Sequence, residues 1–391
     1  MEELKPVPPA VKKKPNIFFR FLAFLLSLAL VLGAVAAVAY RDRLNLDSLR
    51  RWFTYRTLQK NSSGQAESFD YDSVGKGGFT ALGNDLLVWS SAGTRLYAPD
   101  GTKFIDDALS LTRPMANGAG SAAVVYDAGG KTLRVYANRD AAFSLDADQG
   151  HEILSARMCP AGGMSVVSRA PGYRGVVTVY SADYQPVLGI RLSSSFVMDS
   201  LLSDDGATVA VLTAGETENT YESALALYTL EGDSPFATCS LGNNVILDLC
   251  FSDGAFWALG ENSLNLVSRD GASTLTYDYG GRYLKDYALG GDGFAALLLG
   301  KYRAGSTASL LTVDSQGQEI SSLDIGEQVL DVAAAGRYVA VLTASSLLLY
   351  TRDLQLYKTL DNASGARNVV LRSDGTAFLI GGGTAKLYIP S

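Results

Sequence analysis

Residues 197–241 read VMDSLLSDDGATVAVLTAGETENTYESALALYTLEGDSPFATCSL. An apolar run leads into the turn Ser203-Asp204-Asp205-Gly206. A strand over 209–213, a loop and a second strand over 224–230 follow, and Glu231-Gly232 turns the chain into a fourth apolar segment. Asp and Gly stand where tight hairpins need side-chain-to-backbone hydrogen bonds or positive φ. The core of this unit, Val-Ala-Val-Leu-Thr at 209–213, is written again at 339–343.

The same punctuation recurs along the chain. Ser252-Asp253-Gly254, Gly291-Asp292-Gly293 and Ser373-Asp374-Gly375 match the first turn, and Pro99-Asp100-Gly101 and Arg269-Asp270-Gly271 match the second. Aligned units begin near residues 79, 118, 158, 203, 249, 288, 332 and 370. A spacing of roughly 38–46 residues is that of a four-stranded propeller blade. The repeated pentapeptide is then the second strand of two blades three apart, buried on both faces and therefore rich in β-branched and aliphatic residues. The last unit has room for three strands, and residues 66–72 (AESFDYD) can supply the fourth and close the ring. These features predict an all-β, eight-bladed β-propeller, or a seven-bladed one if the weak first unit is not a blade.

Ahead of the repeats, residues 21–40 (FLAFLLSLALVLGAVAAVAY) carry no charge, enough for a helix to cross ~30 Å of hydrocarbon. Lys12, Lys13, Lys14 and Arg20 precede the run and favour a cytoplasmic N-terminus. Arg41, Arg43, Arg50 and Arg51 follow it and weaken that asymmetry. Ala37-Val38-Ala39 also has the form of a signal-peptide cleavage site, so a cleaved leader is the alternative; the apolar run is long for one. The expected organisation is a cytoplasmic basic tail (1–16), a transmembrane helix (17–40), a juxtamembrane amphipathic segment and linker (41–65) and an extracytoplasmic propeller (66–391). Within 45–60, Leu46, Leu49 and Phe53 fall at helical spacing with Arg50, Arg51 and Arg56 off that face. A helix on anionic headgroups with Trp52 at the interface, a solvated connector, and a helix packed under the domain all fit.

Charge narrows the partner classes. Residues 1–61 carry 11 Lys/Arg and 4 Asp/Glu while the whole chain has a net charge of −7, so the body is strongly acidic. An acidic body without a basic stripe argues against nucleic-acid binding. Cys159, Cys239 and Cys250 form no CxxC; a Cys239–Cys250 bridge needs neighbouring strands, and free, packed thiols are the commoner case.

The layout of basic tail, apolar span, juxtamembrane segment and degenerate blades with LxLY third strands (residues 225–228 and 347–350) resembles a family of uncharacterised single-pass membrane propellers of Gram-positive clostridia. That resemblance implies the fold and the membrane anchor, and no activity. More distantly the blades are similar to an eight-bladed outer-membrane assembly lipoprotein and to quinoprotein dehydrogenases. No lipidation Cys follows the span, the body holds only Trp89 and Trp257 where a docking motif would need one tryptophan per blade, and one histidine cannot supply a WD40 signature.

Chemistry is sparse. Asp146, Asp148, His151 and Glu152 have the look of a D-x-D-x-G cation loop but lack the further oxygens such a loop needs, and an inter-blade connector accounts for them. The glycines at 75, 77, 78 and 381–383 lack the Lys-Ser/Thr or the following helix of a phosphate site. No serine has a nucleophile-elbow sequence to pair with His151. The sequence therefore supports no catalytic residue, cofactor or metal.

The connections between second and third strands are more informative. They are short in blades five and seven but lengthen to SRAPGYRG, AGETENTYES and GKYRAGSTAS in blades three, four and six. All such loops emerge on one face of a propeller. Tyr173-Arg174 and Tyr302-Arg303 are matching pairs, and Tyr221 sits among Glu216, Glu218 and Glu222. Tyr and Arg are favoured at interface hot spots. The candidate partner-binding face is thus Tyr173, Arg174, Glu216, Glu218, Tyr221, Tyr302 and Arg303, engaging an envelope protein; the alternative is that Tyr173 and Tyr221, each seven residues before another tyrosine, start third strands and pack on a neighbouring blade. A sensor or enzyme holding a glycan or small ligand in the central channel is the other functional class. A third is partnering through the span, where Gly33 permits close helix approach.

Overall fold

The computed structural model describes residues 21–28, 31, 46–72, 75–217 and 220–390. Eight four-stranded antiparallel sheets follow one another along the chain, seven of them simple meanders. The first strands of most successive blades contact one another, and that of blade eight (Ala366–Leu371) contacts that of blade one (Gly77–Leu82), so these strands form the inner wall of a closed ring. The chain is an eight-bladed β-propeller.

The closing strand forms as its sequence predicts. Phe69–Asp70 pairs antiparallel with the last strand, Thr384–Tyr388, with Phe69 opposite Ala385 and Asp70 opposite Thr384. The N-terminal end of the domain thereby becomes the outer edge of blade eight and covers the edge of the last strand. Gly101, in a turn of blade one, abuts this strand: its φ is +84° and a β-carbon there would lie 2.5 Å from that of Phe69. The turn therefore demands glycine for conformation and for space.

Second strands form the core. All six residues of Tyr338–Thr343 are buried, as are Val209, Ala210, Val211 and Leu212 of the matching strand in blade four. The cores lie between blades: Leu212, Leu225 and Leu227 of blade four meet Leu249, Phe256 and Val267 of blade five. Phe378, Ile380 and Leu387 of blade eight pack against Leu86, Val88 and Tyr97 of blade one, so apolar contact closes the ring as well as the strand does. Each interface needs both blades to exist, which explains why the repeat spacing carries the fold.

All three cysteines are free. Cys239 lies on the outer strand of blade four (Ala237–Ser240) and Cys250 on the inner strand of blade five (Ile246–Ser252), so sequence proximity does not bring them together. Burial raises the Cys250 thiol far above its usual range.

Most of the expected transmembrane segment, and Gly33 with it, lies outside the described residues. Residues 21–28 are helical, and among the described residues no helix is long and apolar enough to cross a membrane. The juxtamembrane segment does form a helix, Leu46–Tyr55. Residues 55–391 make one compact unit.

Candidate binding face

Strand register determines which residues share an end of the ring. In blade four Phe196 lies opposite Ala214, and Ala214 opposite Ser223. In blade six Tyr283 lies opposite Gly300, and Gly300 opposite Ala308. The start of each first strand therefore stands beside the second-to-third connection, and the three long connections rise around the same channel mouth.

The three tyrosines are solvent-facing: Tyr173 is 45 %, Tyr221 41 % and Tyr302 66 % exposed. Tyr221 lies at the start of the third strand Thr220–Thr229, as the alternative reading has it. Tyr173 sits in the turn before the strand Gly175–Tyr180. Arg174 lies over the Phe196 ring at 4.5 Å and donates from Nε to the Ser193 carbonyl at 3.2 Å. Tyr173, Arg174, Arg169, Pro171, Phe196 and Met198 line a largely apolar depression of about 680 Å³ between blades three and four.

The connection of blade four differs from the loop expected. Thr208–Thr217 and Thr220–Thr229 run on as one long hairpin, with Glu216 opposite Tyr221 and Thr217 opposite Thr220. Its physical cause is legible: Thr217, Thr220 and Tyr221 suit a strand, and nothing from 214 to 223 is a proline. Tyr221 shares a hydrogen bond with Ser223 at 3.0 Å, and Ser240 donates to the Glu222 carboxylate at 2.5 Å. Glu218 lies outside the described residues.

In blade six, Lys301 approaches the Tyr302 ring at 5.6 Å, and the Arg303 guanidinium stands 3.8 Å from Glu261 of blade five. Lys285 donates to the Arg303 carbonyl at 2.7 Å and ties the loop down. Tyr173-Arg174 and Tyr302-Arg303 thus occupy one end of the ring in two separate patches.

Sequence reasoning missed a second set at this end. Phe196 and Met198, Val245 and Leu247, Tyr283, and Leu330 are exposed at or beside the starts of the first strands of blades four to seven. A scan for apolar residues placed just before an inner-strand acid would have found Met198, Leu247 and Leu330. The opposite end has another character. Its turns carry exposed Asp100, Asp205, Asp253, Asp270, Asp292 and Asp353. Several serve the turn itself: Asp100 accepts the Thr102 N–H and Asp205 the Ala207 N–H.

The inner wall holds a further regularity. Ser155, Asp199, Asp248, Asp286, Asp331 and Asn368 each sit where the first strand of blades three to eight slips register against the second. Arg157 crosses from blade three to two of them: Nε is 2.7 Å from Asp199, Nη2 2.7 Å from Asp248, and Nη1 donates to the Leu249 carbonyl at 2.8 Å. Burial opposes the guanidinium charge, but Asp199 and Asp248 outweigh it and hold the group above its usual range. Asp331 accepts the Val369 N–H of blade eight at 2.7 Å. Burial, followed by the Asp286 charge, pushes Asp331 up to about 6 against the pull of that hydrogen bond.

Among the described residues no group of three His, Cys, Asp or Glu side chains could hold a metal ion. In the 146–152 connector, Asp146 pairs with Arg134 at 3.2 Å and Glu152 accepts the Gly150 N–H.

An eight-bladed propeller with one apolar, tyrosine-bearing end and one acidic end defines the class. The chain belongs to the family of unknown function DUF5711, whose model matches residues 54–376. No curated protein matches it. Among solved structures it is similar to the computationally designed Ika8 protein (14 % identity, 82 % of this chain and 100 % of that one, TM-score 0.58). It is similar also to the C-terminal WD40 domain of Sif2 (12 %, 82 % and 96 %, 0.57) and to BamB from Moraxella catarrhalis (12 %, 83 % and 96 %, 0.49). At these identities the likeness is one of fold.

Proposed function

We propose that this chain is a non-catalytic scaffold, anchored in the membrane by its N-terminal apolar run, whose extracytoplasmic propeller holds a protein of the cell envelope on the end bearing the long connections. One observation carries the reading: Tyr173, Tyr221 and Tyr302 are all exposed at the channel mouth that also exposes Phe196, Met198, Leu247 and Leu330. Large apolar groups gathered at one end of an acidic body mark an interaction surface. The anchor and the outward placement rest on the uncharged run 21–40 and the lysines before it.

A ligand in the channel draws on the four inner-wall aspartates, which converge from successive blades. Asp199 and Asp248 are occupied by Arg157, and Asp331 by a backbone N–H of the next blade. They staple blades together, so the scaffold reading is the better supported.

Tyr173→Ala, Tyr221→Ala and Tyr302→Ala combined are expected to weaken partner binding by at least about 100-fold, as loss of interface tyrosines does. Because the side chains are exposed, each change should alter stability by under about 0.5 kcal/mol. In-membrane crosslinking with mass spectrometry, run on both proteins, checks this. A partner recovered equally by the folded triple variant would overturn the assignment of the face.

A further inference from the structure

The helix Leu46–Tyr55 carries an apolar face that is open. Leu49, Trp52 and Phe53, one apolar face at i, i+3 and i+4, are 55 %, 60 % and 58 % exposed. Arg51 bonds Ser48 through Nη2 at 2.9 Å within the same helix. A helix on a soluble domain shows its charges and hides its apolar stripe. This one leaves Leu49, Trp52 and Phe53 exposed together, so an apolar medium is required on that face.

Charge says which medium. From Ser48 to Ala66 the chain carries Arg50, Arg51, Arg56 and Lys60 and no acid, in front of a strongly acidic body. Arg50, Arg56 and Lys60 are exposed. Trp beside cations on an apolar face is the composition of a helix lying in a lipid headgroup layer. The uncharged run ends at Tyr40, and the helix begins at Leu46. Five intervening residues reach at most about 18 Å, so a span there delivers the helix to the headgroup region.

We infer that Leu46–Tyr55 lies on an anionic lipid surface with Leu49, Trp52 and Phe53 inserted and Arg50, Arg56 and Lys60 paired with headgroup phosphates. The inference rests on the membrane-anchoring half of the proposed function and is independent of the partner-binding face.

The test uses the full chain reconstituted into phosphatidylcholine vesicles containing about one-third phosphatidylglycerol, with or without acyl-brominated lipid. Trp52 is one of three tryptophans, and Trp257 is buried, so Trp52→Phe isolates its signal. Brominated lipid is expected to quench a component of the emission that vanishes in Trp52→Phe and diminishes in Arg50→Gln/Arg56→Gln. Protein that floats with the vesicles yet shows no Trp52 quenching overturns the inference and leaves the anchor standing. Protein that fails to float overturns both.

Discussion

Arg157→Met is expected to destabilise the propeller by about 3–5 kcal/mol, the cost of removing one partner from a buried ion network. Arg157 is the cation bonded to both Asp199 and Asp248, and its Nη1 also holds the Leu249 carbonyl. Its loss removes the cation between two inner-wall carboxylates, which keep only hydroxyl and backbone N–H donors, at the point where blades three, four and five meet. The loss should be mostly electrostatic, since methionine keeps much of the volume. Adding Asp199→Asn and Asp248→Asn to Arg157→Met should therefore restore most of the stability. Urea unfolding of the three proteins at pH 7 checks it. A single variant as stable as wild type, or a triple variant no better than the single, would contradict the assignment.

Asp331→Asn is expected to act in the opposite direction. With a folded value of about 6 against roughly 4 in an unfolded chain, the folded protein holds a proton that the unfolded one releases. Stability from this group is fully present below about pH 4 and is lost as pH rises through 6. At neutral pH the ionised carboxylate, beside Asp286, costs on the order of 3 kcal/mol. Asparagine removes the charge and still accepts the Val369 N–H, and the register position itself tolerates an amide, since Asn368 holds it in blade eight. Asp331→Asn should thus be more stable at pH 7.5 and should lose its share of the pH slope between 4 and 6. Wild type gaining stability across that window, or a variant weaker at pH 7.5, would contradict this.

Much of the fold was legible because its signals are local. Asp-Gly turns declare hairpins, their spacing declares a blade, and the three-stranded last unit left one place for residues 66–72. The Tyr-Arg pairs of the connections were visible for the same reason. The inner-wall aspartates were not, although each sits in a repeated setting (MDSL, LDLC, KDYA, LDVA) at unequal intervals. A carboxylate inside an apolar strand makes sense only once the next blade's N–H or Arg157 is beside it, and those partners come from 38 to 91 residues away. The hairpin over 214–223 was misjudged as a loop because glycine and glutamates outweighed the threonines and tyrosine that continue the strands. The exposed residues of the first strands were hidden by their own hydrophobicity, which reads as core until the channel mouth is seen.

The most direct measurement places a photoreactive side chain at Tyr302 or Phe196 on the tyrosine-bearing end, and at Asp205 or Asp353 on the acidic end, in the full-length protein in its own membrane. One adduct shared by Tyr302 and Phe196, and none from Asp205 or Asp353, is the predicted result. An adduct formed from the acidic turns, or none from the tyrosine-bearing end, would contradict a scaffold that works through that face.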